Sequence, residues 1–294
     1  MLIDAHAHLT TNDPAYPFDP PGGTVPEQAR RDPMTAERLL AEMDAHGLTA
    51  AVAVQRAHVF GFDNSYVVDS AARHPSRLAA MCVIDGHAPD AEAVVRHWAE
   101  RGAAAIRLTA PGGTRHGGPS GTDWFTGPAA RRVWHQATNL GLSMCLHLYR
   151  WNRDECLRAL PAVLRDFPGT PVVLDHIAGV ETDRPTPYPG APGLLALTDL
   201  EQVHIKVTTL NHARHLSTGT SPATVVSWLV SHFGAARVLW GSDVTQTPMS
   251  YPDMVRLGRA SVTGLNPADA AMVLSGTAAH LYRLPAPVPG ADPA

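Results

Sequence analysis

Two histidines separated by one residue, His6 and His8, end a short apolar run at the start of the chain. Alternate side chains of a β-strand point to the same face, so both imidazoles would leave one face of the strand together. This spacing is typical of a pair of metal ligands. The alternative is a pair of solvated or core histidines, because a chain with 16 histidines produces the spacing by chance.

The elements that would position these histidines form a regular series. Eight short apolar runs, the first included, have the composition of strands buried on both faces. The other seven lie at 50–55, 78–84, 103–108, 142–147, 171–176, 203–208 and 237–241. Stretches of helical periodicity separate most of them, at 35–46, 64–74, 88–101, 127–140, 154–167 and 221–233. Alternating strands and helices predict a closed (β/α)₈ TIM barrel over residues 1–284, with an open doubly wound sheet as the alternative.

The connections distinguish the two ends of this barrel. Segments that enter the strands are short, whereas several that leave them are long and rich in Gly and Pro. The longest are 9–34, 109–126, 178–192 and 209–220. Because barrel enzymes build their sites from the loops that follow the strands, this asymmetry predicts one functional face. A Pro-rich tail, 285–294, is expected to be loose.

Three further candidate residues fall on the same face. His147 ends the fifth strand, His176 ends the sixth, and Asp243 follows the eighth. Taken singly, His147 or His176 is more typical of a core histidine bonded to a carbonyl. Four imidazoles and a carboxylate that converge on one barrel mouth, however, suit a divalent ion such as zinc, manganese or iron.

Four stretches of sequence resemble the amidohydrolase superfamily, and within it the amidohydrolase-2 group of lactonases and non-oxidative decarboxylases. They are residues 3–8 (IDAHAH), 141–147 (GLSMCLH), 167–176 (FPGTPVVLDH) and 238–243 (VLWGSD). Residues 276–282 resemble the closing signature of that group, although Thr277 stands where Asn is usual. The resemblance covers nearly the whole chain; it is specific for the fold and much less so for a substrate.

The resemblance implies that His6, His8, His147 and Asp243 bind one divalent metal ion, most simply zinc, with manganese or iron as alternatives. His176 and Asp243 would be the catalytic residues. A two-metal site would need a carboxylated lysine at the end of the fourth strand, where Arg107 stands instead. Some lactonases of this group work without metal, and the presence of His147 argues against that exception here.

Two reactions fit these residue types. The first is hydrolysis of a small cyclic ester or amide, lactone-like and carrying a carboxylate, by a water whose pKa a metal lowers from near 15.7 to roughly 7. Asp243 would take the proton and His176 would act as acid or stabilise the oxyanion. The alternative is metal-dependent, non-oxidative decarboxylation of an aromatic or enoic acid. A non-catalytic barrel is a third possibility, which the intact His and Asp set disfavours.

Arg107 is the first candidate for contact with a substrate. An arginine that closes an apolar strand is unfavourable to bury unless an anion meets it, so the residue is predicted either to clamp a substrate carboxylate or to pair with a neighbour such as Asp85. Arg150 and Lys206 are weaker candidates, because Arg150 can be exposed in its loop and Lys206 can point outward from the seventh strand.

Pocket-shaping residues are expected on the loops. Tyr149 and Gln246 follow strands five and eight closely. The long segment 9–34 contains six prolines and presents Tyr16 and Phe18, so it is predicted to act as a partial lid that turns both rings toward the pocket. A surface excursion without a role is the alternative.

Composition narrows the partners. The formal net charge of −4 and a pI near 6.4 indicate no basic face for nucleic acid, and no apolar run is long enough to span a bilayer. Met1 leads directly into the first strand and the three cysteines suggest reduced thiols, so a cytoplasmic location is expected. We expect a small-molecule substrate, no nucleic-acid or membrane partner, and allow for a homodimer.

Overall fold

The computed structural model describes residues 1–110, 118 and 120–285. Eight strands, all parallel to their neighbours, form one sheet in the order in which they occur along the chain. They are β1 (Ile3–His8), β2 (Ala50–Val54), β3 (Leu78–Val83), β4 (Ala103–Thr109), β5 (Ser143–His147), β6 (Val172–Leu174), β7 (Val203–Thr208) and β8 (Val238–Gly241). The predicted (β/α)₈ barrel is confirmed, and the open sheet is excluded because β8 returns to β1.

Helices connect successive strands, and the last three follow β8. They are α1 (Glu27–Arg31), α2 (Ala36–His46), α3 (Ala57–Phe60), α4 (Ser65–Arg73), α5 (Ala91–Glu100), α6 (Asp123–Thr126), α7 (Pro128–Asn139), α8 (Arg153–Asp166), α9 (Ala191–Leu195), α10 (Thr209–Thr218), α11 (Pro222–Phe233), α12 (Tyr251–Ala260), α13 (Pro267–Ala271) and α14 (Thr277–Tyr282). No helix among the described residues combines the length and the apolar character needed to cross a membrane.

A buried carboxylate closes the barrel between β8 and β1. Asp4 Oδ1 accepts the backbone N–H of Ser242 at 2.7 Å and that of His6 at 3.0 Å, and its Oδ2 accepts the hydroxyl of Tyr251 at 3.1 Å. A parallel bridge between Ala7 and Val244 completes the junction. The side chain thus replaces ladder hydrogen bonds at the point where the strands that carry the candidate site meet.

The core has two layers. Apolar residues on the outer faces of the strands pack against the helices, and a smaller cluster of mostly small side chains fills the barrel interior. Helix α14 covers the amino-terminal end of the barrel, where Leu281 and Tyr282 join the interior cluster and the Ser143 hydroxyl bonds to the Leu281 carbonyl at 2.9 Å. The opposite, carboxyl-terminal end is therefore the one left for a site.

Two sequence predictions need correction. The sixth strand ends at Leu174 instead of His176, because the next residues form a tight turn with left-handed backbone angles. Segment 209–220 is mostly helix α10, since Thr208 and Asn211 form a capping box that satisfies its first N–H groups. Part of segment 109–126, and the predicted tail beyond residue 285, lie outside the described residues.

Candidate active site

The two histidines of β1 face each other at the barrel mouth. Their Nε2 atoms are 3.2 Å apart and both side chains are buried. His8 Nδ1 lies 2.9 Å from the carbonyl oxygen of Val54, which only accepts, so neutral His8 carries its proton on Nδ1 and a lone pair on Nε2. His6 Nδ1 lies 3.4 Å from Lys206 Nζ, which only donates, and 3.4 Å from Asp175 Oδ1, which only accepts. The lone pair of His8 Nε2 is therefore available to a positive charge at the mouth.

Asp243 completes a triangle with these two nitrogens. Its Oδ1 lies 3.5 Å from His8 Nε2 and 3.7 Å from His6 Nε2, and it is buried with no hydrogen-bond partner among the described residues. Ligand atoms held about 2.0–2.2 Å from one zinc ion are about 3.0–3.8 Å apart for ordinary coordination angles. The triangle therefore fits a divalent ion, which would also satisfy the orphaned carboxylate oxygen.

The backbone around Asp243 is held in an unusual conformation. Its φ of +57° lies in the left-handed region, and its N–H donates to the carbonyl of His6 at 2.7 Å. Gly241 makes this approach possible, since a Cβ at that position would come 2.5 Å from the Cβ of His6. A non-glycine residue fixed in such a conformation is typical of functional sites.

His176 is presented by the turn after β6. The turn gives it a φ of +53°, and its Nδ1 lies 2.7 Å from the hydroxyl oxygen of Thr208. That hydroxyl donates to Asn211 Oδ1 at 3.2 Å, so it accepts from His176 and leaves Nε2 as the free base. His6, His176 and Asp243 each offer a ligand atom within 4.8 Å of the other two. The structure thus brings His6, His8, His176 and Asp243 together.

His147 stands next to His176. The centroids of the two rings are 5.1 Å apart, and the ring of Tyr149 lies 4.5 Å on from His147. Its Nδ1 is 3.4 Å from the hydroxyl of Thr109. Within the part of the chain that the structure describes, its nitrogens form no contact under 4.0 Å with Asp243, unlike those of His6 and His8. A role for His147 as the fourth metal ligand stays a prediction.

A buried group of charges lies beneath the histidines. Asp175 accepts from Arg107 Nε at 2.8 Å and pairs with Lys206 Nζ at 3.0 Å. The prediction that Arg107 could pair with Asp85 is therefore wrong, because the arginine pairs with Asp175, which follows β6, two strands away from β4. Lys206 points into the barrel and is fully buried, which corrects the expectation that it could point outward. Its Nζ also lies 3.4 Å from His6 Nδ1.

Burial dominates the electrostatics of the cluster. It lowers the pKa of His6, His8, His147 and His176, so all four are neutral near pH 7, and it raises the pKa of the Asp243 carboxyl. Asp175 behaves in the opposite way. Burial alone would raise its pKa, but the Lys206 ammonium and then the Arg107 guanidinium outweigh it and hold that pKa well below the usual range.

The contacts of Tyr16 and Phe18 do not support a lid. The Tyr16 hydroxyl donates to Asp69 at 3.0 Å and its ring packs against Tyr66, while Phe18 packs against Phe60. Both rings thus pack against α3 and α4. The substrate-facing role of Tyr16 stays a prediction.

The other predicted pocket residues divide in two. Tyr149 stacks on Trp151 and contacts the ring of His147, so it borders the cluster. Arg150 is 38% exposed at its side chain and pairs with Asp183 at 3.0 Å, away from the cluster. Gln246 accepts a hydrogen bond from Arg56 at 2.7 Å, close to Asp243 in the chain.

Sequence reasoning missed Asp4, Arg56 and Asp175. Two of them carried a readable signal: a carboxylate in or directly after an apolar strand is buried and must find a partner. Lys206 and Arg107 are cations in apolar strands of the same barrel, so the sequence contained the complementary charges. Arg56 follows β2 by two residues, and no pattern distinguished it from a surface arginine.

The fold and the buried His and Asp cluster are typical of a (β/α)₈ barrel enzyme. Residues 3–284 match the family model described as amidohydrolase, and the chain belongs to that family. This match confirms the resemblance seen in the sequence. Among curated proteins, the 4-sulfomuconolactone hydrolase of Rhizobium radiobacter is 25% identical over 241 residues, which are 82% of this chain and 74% of that protein.

Solved structures share the fold over almost their whole length. A probable 2-pyrone-4,6-dicarboxylic acid hydrolase from Acinetobacter baumannii, with citric acid bound, has a TM-score of 0.76 at 18% identity and covers 96% of this chain and 99% of that one. An amidohydrolase from Burkholderia multivorans with bound zinc has a TM-score of 0.73 at 19% identity, covering 97% and 100%. A dihydroxybenzoic acid decarboxylase from a Polaromonas species, with bound manganese and an inhibitor, has a TM-score of 0.67 at 14% identity, covering 96% of both.

Proposed function

We propose that this protein is a metal-dependent hydrolase that opens a small lactone carrying a carboxylate. The observation that carries the proposal is the triangle of His6 Nε2, His8 Nε2 and the orphaned Asp243 Oδ1, with sides of 3.2–3.7 Å. These residues would hold one divalent ion, with His147 as a further ligand and zinc or manganese as the ions found in structural neighbours. When bound, the ion supplies Lewis acidity toward a carbonyl and a nearby water.

The side chains around this point have separate roles in hydrolysis. Asp243 accepts the proton of the attacking water on Oδ2, which receives only a 3.3 Å bond from the Thr247 hydroxyl, while Oδ1 faces the ion. The free Nε2 of neutral His176 accepts or returns a proton at the same place, since His176 and Asp243 offer ligand atoms within 4.8 Å of each other. Arg107, fixed through its Nε by Asp175, has its two terminal nitrogens left to pair with a substrate carboxylate.

The relatives support the substrate class. The curated relative is named as a lactone hydrolase, and the structural neighbour with the TM-score of 0.76 is named as a probable hydrolase of a pyrone dicarboxylic acid. Both names describe cyclic esters with acidic substituents. The proposal therefore combines the chemistry of this chain's own cluster with what those names describe.

Decarboxylation is the second candidate. The manganese-bound neighbour is a decarboxylase of the same fold, and the buried Asp243 carboxyl is placed to deliver a proton to carbon as readily as to oxygen. In that reaction Arg107 would hold a carboxylate that is not lost.

A substrate panel tests the proposal. Purified protein, stripped with chelator and reloaded with zinc or manganese, is incubated with carboxylated lactones and with hydroxybenzoates while acid release and CO₂ are measured. We expect acid release from a lactone, at least 100-fold weaker in Asp243→Asn. Release of CO₂ from an aromatic acid would favour the second candidate. Unchanged turnover after Asp243→Asn would refute both.

A further inference from the structure

Arg56 is a buried arginine whose described contacts are with neutral groups. It lies just beyond the carboxyl end of β2 and is only 5% exposed. Its guanidinium donates to the hydroxyl of Thr245 and, at 2.7 Å, to Gln246 Oε1. Among the described residues no carboxylate lies within 4.0 Å of it, and its buried Nε has no hydrogen-bond partner.

Other buried arginines are compensated. Arg107 pairs with Asp175 and Arg153 pairs with Asp154, each at 2.8 Å. A buried guanidinium that meets only neutral oxygens is unfavourable, because the lost hydration is not replaced by an opposite charge. Burial accordingly lowers the pKa of Arg56 to about 10.

The position of Arg56 connects it to the candidate active site. It contacts the loop after β8 that carries Asp243, donating to Gln246 three residues beyond that carboxylate. Arg56 follows β2 and Arg107 belongs to β4, so the two arginines come from the strands on either side of β3. Of the carboxylates among the described residues, that of Asp243 opposes the effect of burial on the pKa of Arg56, but it lies beyond 4.0 Å and is already assigned to the metal.

We propose that Arg56 is a substrate-binding residue that receives a second carboxylate of the substrate, separate from the one assigned to Arg107. The proposal rests on the proposed function and narrows its substrate class to small cyclic esters with two acidic substituents. On binding, the guanidinium exchanges its neutral partners Thr245 and Gln246 for a charge-assisted, bidentate pair. The two arginines orient the ring from the β2–β4 side of the mouth.

The competing explanation is that Arg56 only holds the loop of Asp243 in place. Thr245 has a φ of +75°, so this loop is conformationally unusual and an anchor would be useful there. An anchor does not require a charge, however, whereas a receptor for a carboxylate does. The two roles differ in which ligands lose affinity when Arg56 is changed.

The test measures binding without turnover. Isophthalate, with two carboxylates, and benzoate, with one, are titrated calorimetrically into the zinc-loaded protein. Wild type should bind isophthalate about 10-fold or more tighter than benzoate, and Arg56→Gln should remove this preference while leaving benzoate affinity within about twofold. Arg96→Gln, which removes an equivalent charge from an exposed helix, is the matched control and should behave as wild type.

Several outcomes would overturn the proposal. Absence of the preference in wild type, or its persistence in Arg56→Gln, would do so, as would equal weakening of both ligands. If Arg56→Gln fails to fold, Arg56→Lys keeps the charge but not the bidentate geometry and should reduce the preference at least threefold. The proposed function fails separately: a wild type that prefers isophthalate but opens no lactone supports Arg56 as a carboxylate receptor and refutes lactone hydrolysis.

Discussion

Among the buried charges of the barrel, Asp175 should be the one whose replacement lowers the free energy of unfolding most. It is the shared counter-ion of two buried cations, Arg107 and Lys206, at 2.8 and 3.0 Å, so Asp175→Asn leaves both without a counter-charge. Removing one partner of a buried pair destabilises a protein by about 3–5 kcal/mol, a large part of a typical free energy of unfolding of about 5–15 kcal/mol. Lys206→Met leaves the Arg107–Asp175 pair intact and should cost no more than about 2 kcal/mol.

The assay is urea unfolding at pH 7.5 in the presence of chelator, so that metal binding through His6 does not contribute to the free energy. The double variant Asp175→Asn/Lys206→Met should be more stable than Asp175→Asn by about 1–3 kcal/mol, because one stranded cation is gone. If Asp175→Asn loses less than 1 kcal/mol, or if Lys206→Met costs as much as Asp175→Asn, the two-cation argument is incorrect.

Three further outcomes are expected. His8→Ala should reduce bound zinc to below about 10% of wild type by elemental analysis with the fold retained by circular dichroism, and full metal occupancy would contradict its role as a ligand. Thr208→Val should lower kcat about 10–100-fold by releasing the tautomer of His176, with Thr208→Ser restoring most of it; equal loss in both variants would instead indicate damage to helix α10. His212 and His215 are buried with pKa values lowered to about 3 and about 4, so the unfolded chain takes up their protons first and each residue should remove about 2 kcal/mol of stability as the pH falls from 8 to 5. In His212→Leu, the loss of unfolding free energy between pH 8 and 5 should be smaller by about half of what His212 and His215 cause together. An unchanged dependence of the unfolding free energy on pH, measured by urea unfolding, would show that His212 does not titrate in this way.

The sequence determined the barrel and most of its mouth. Eight apolar runs separated by helical periodicity specify parallel strands, because a strand buried on both faces requires helices on its outer side. The carboxyl ends of such strands must meet at one end, so His6, His8, His176 and Asp243 could be assigned to one place before any coordinates existed. The family match over residues 3–284 confirms the corresponding resemblance.

Tertiary structure alone decided the partners. Arg107 pairs with Asp175 instead of Asp85, and Lys206 points into the barrel. Pairing across a closed barrel depends on strand register and tilt rather than on distance along the chain. The left-handed turn at His176 likewise has no local signal, since a non-glycine residue adopts it only when surrounding contacts enforce it. For the same reason no pattern in the sequence indicated a role for Arg56. Its burial without a counter-charge is a property of the assembled mouth, because three-dimensional packing determines which charges meet.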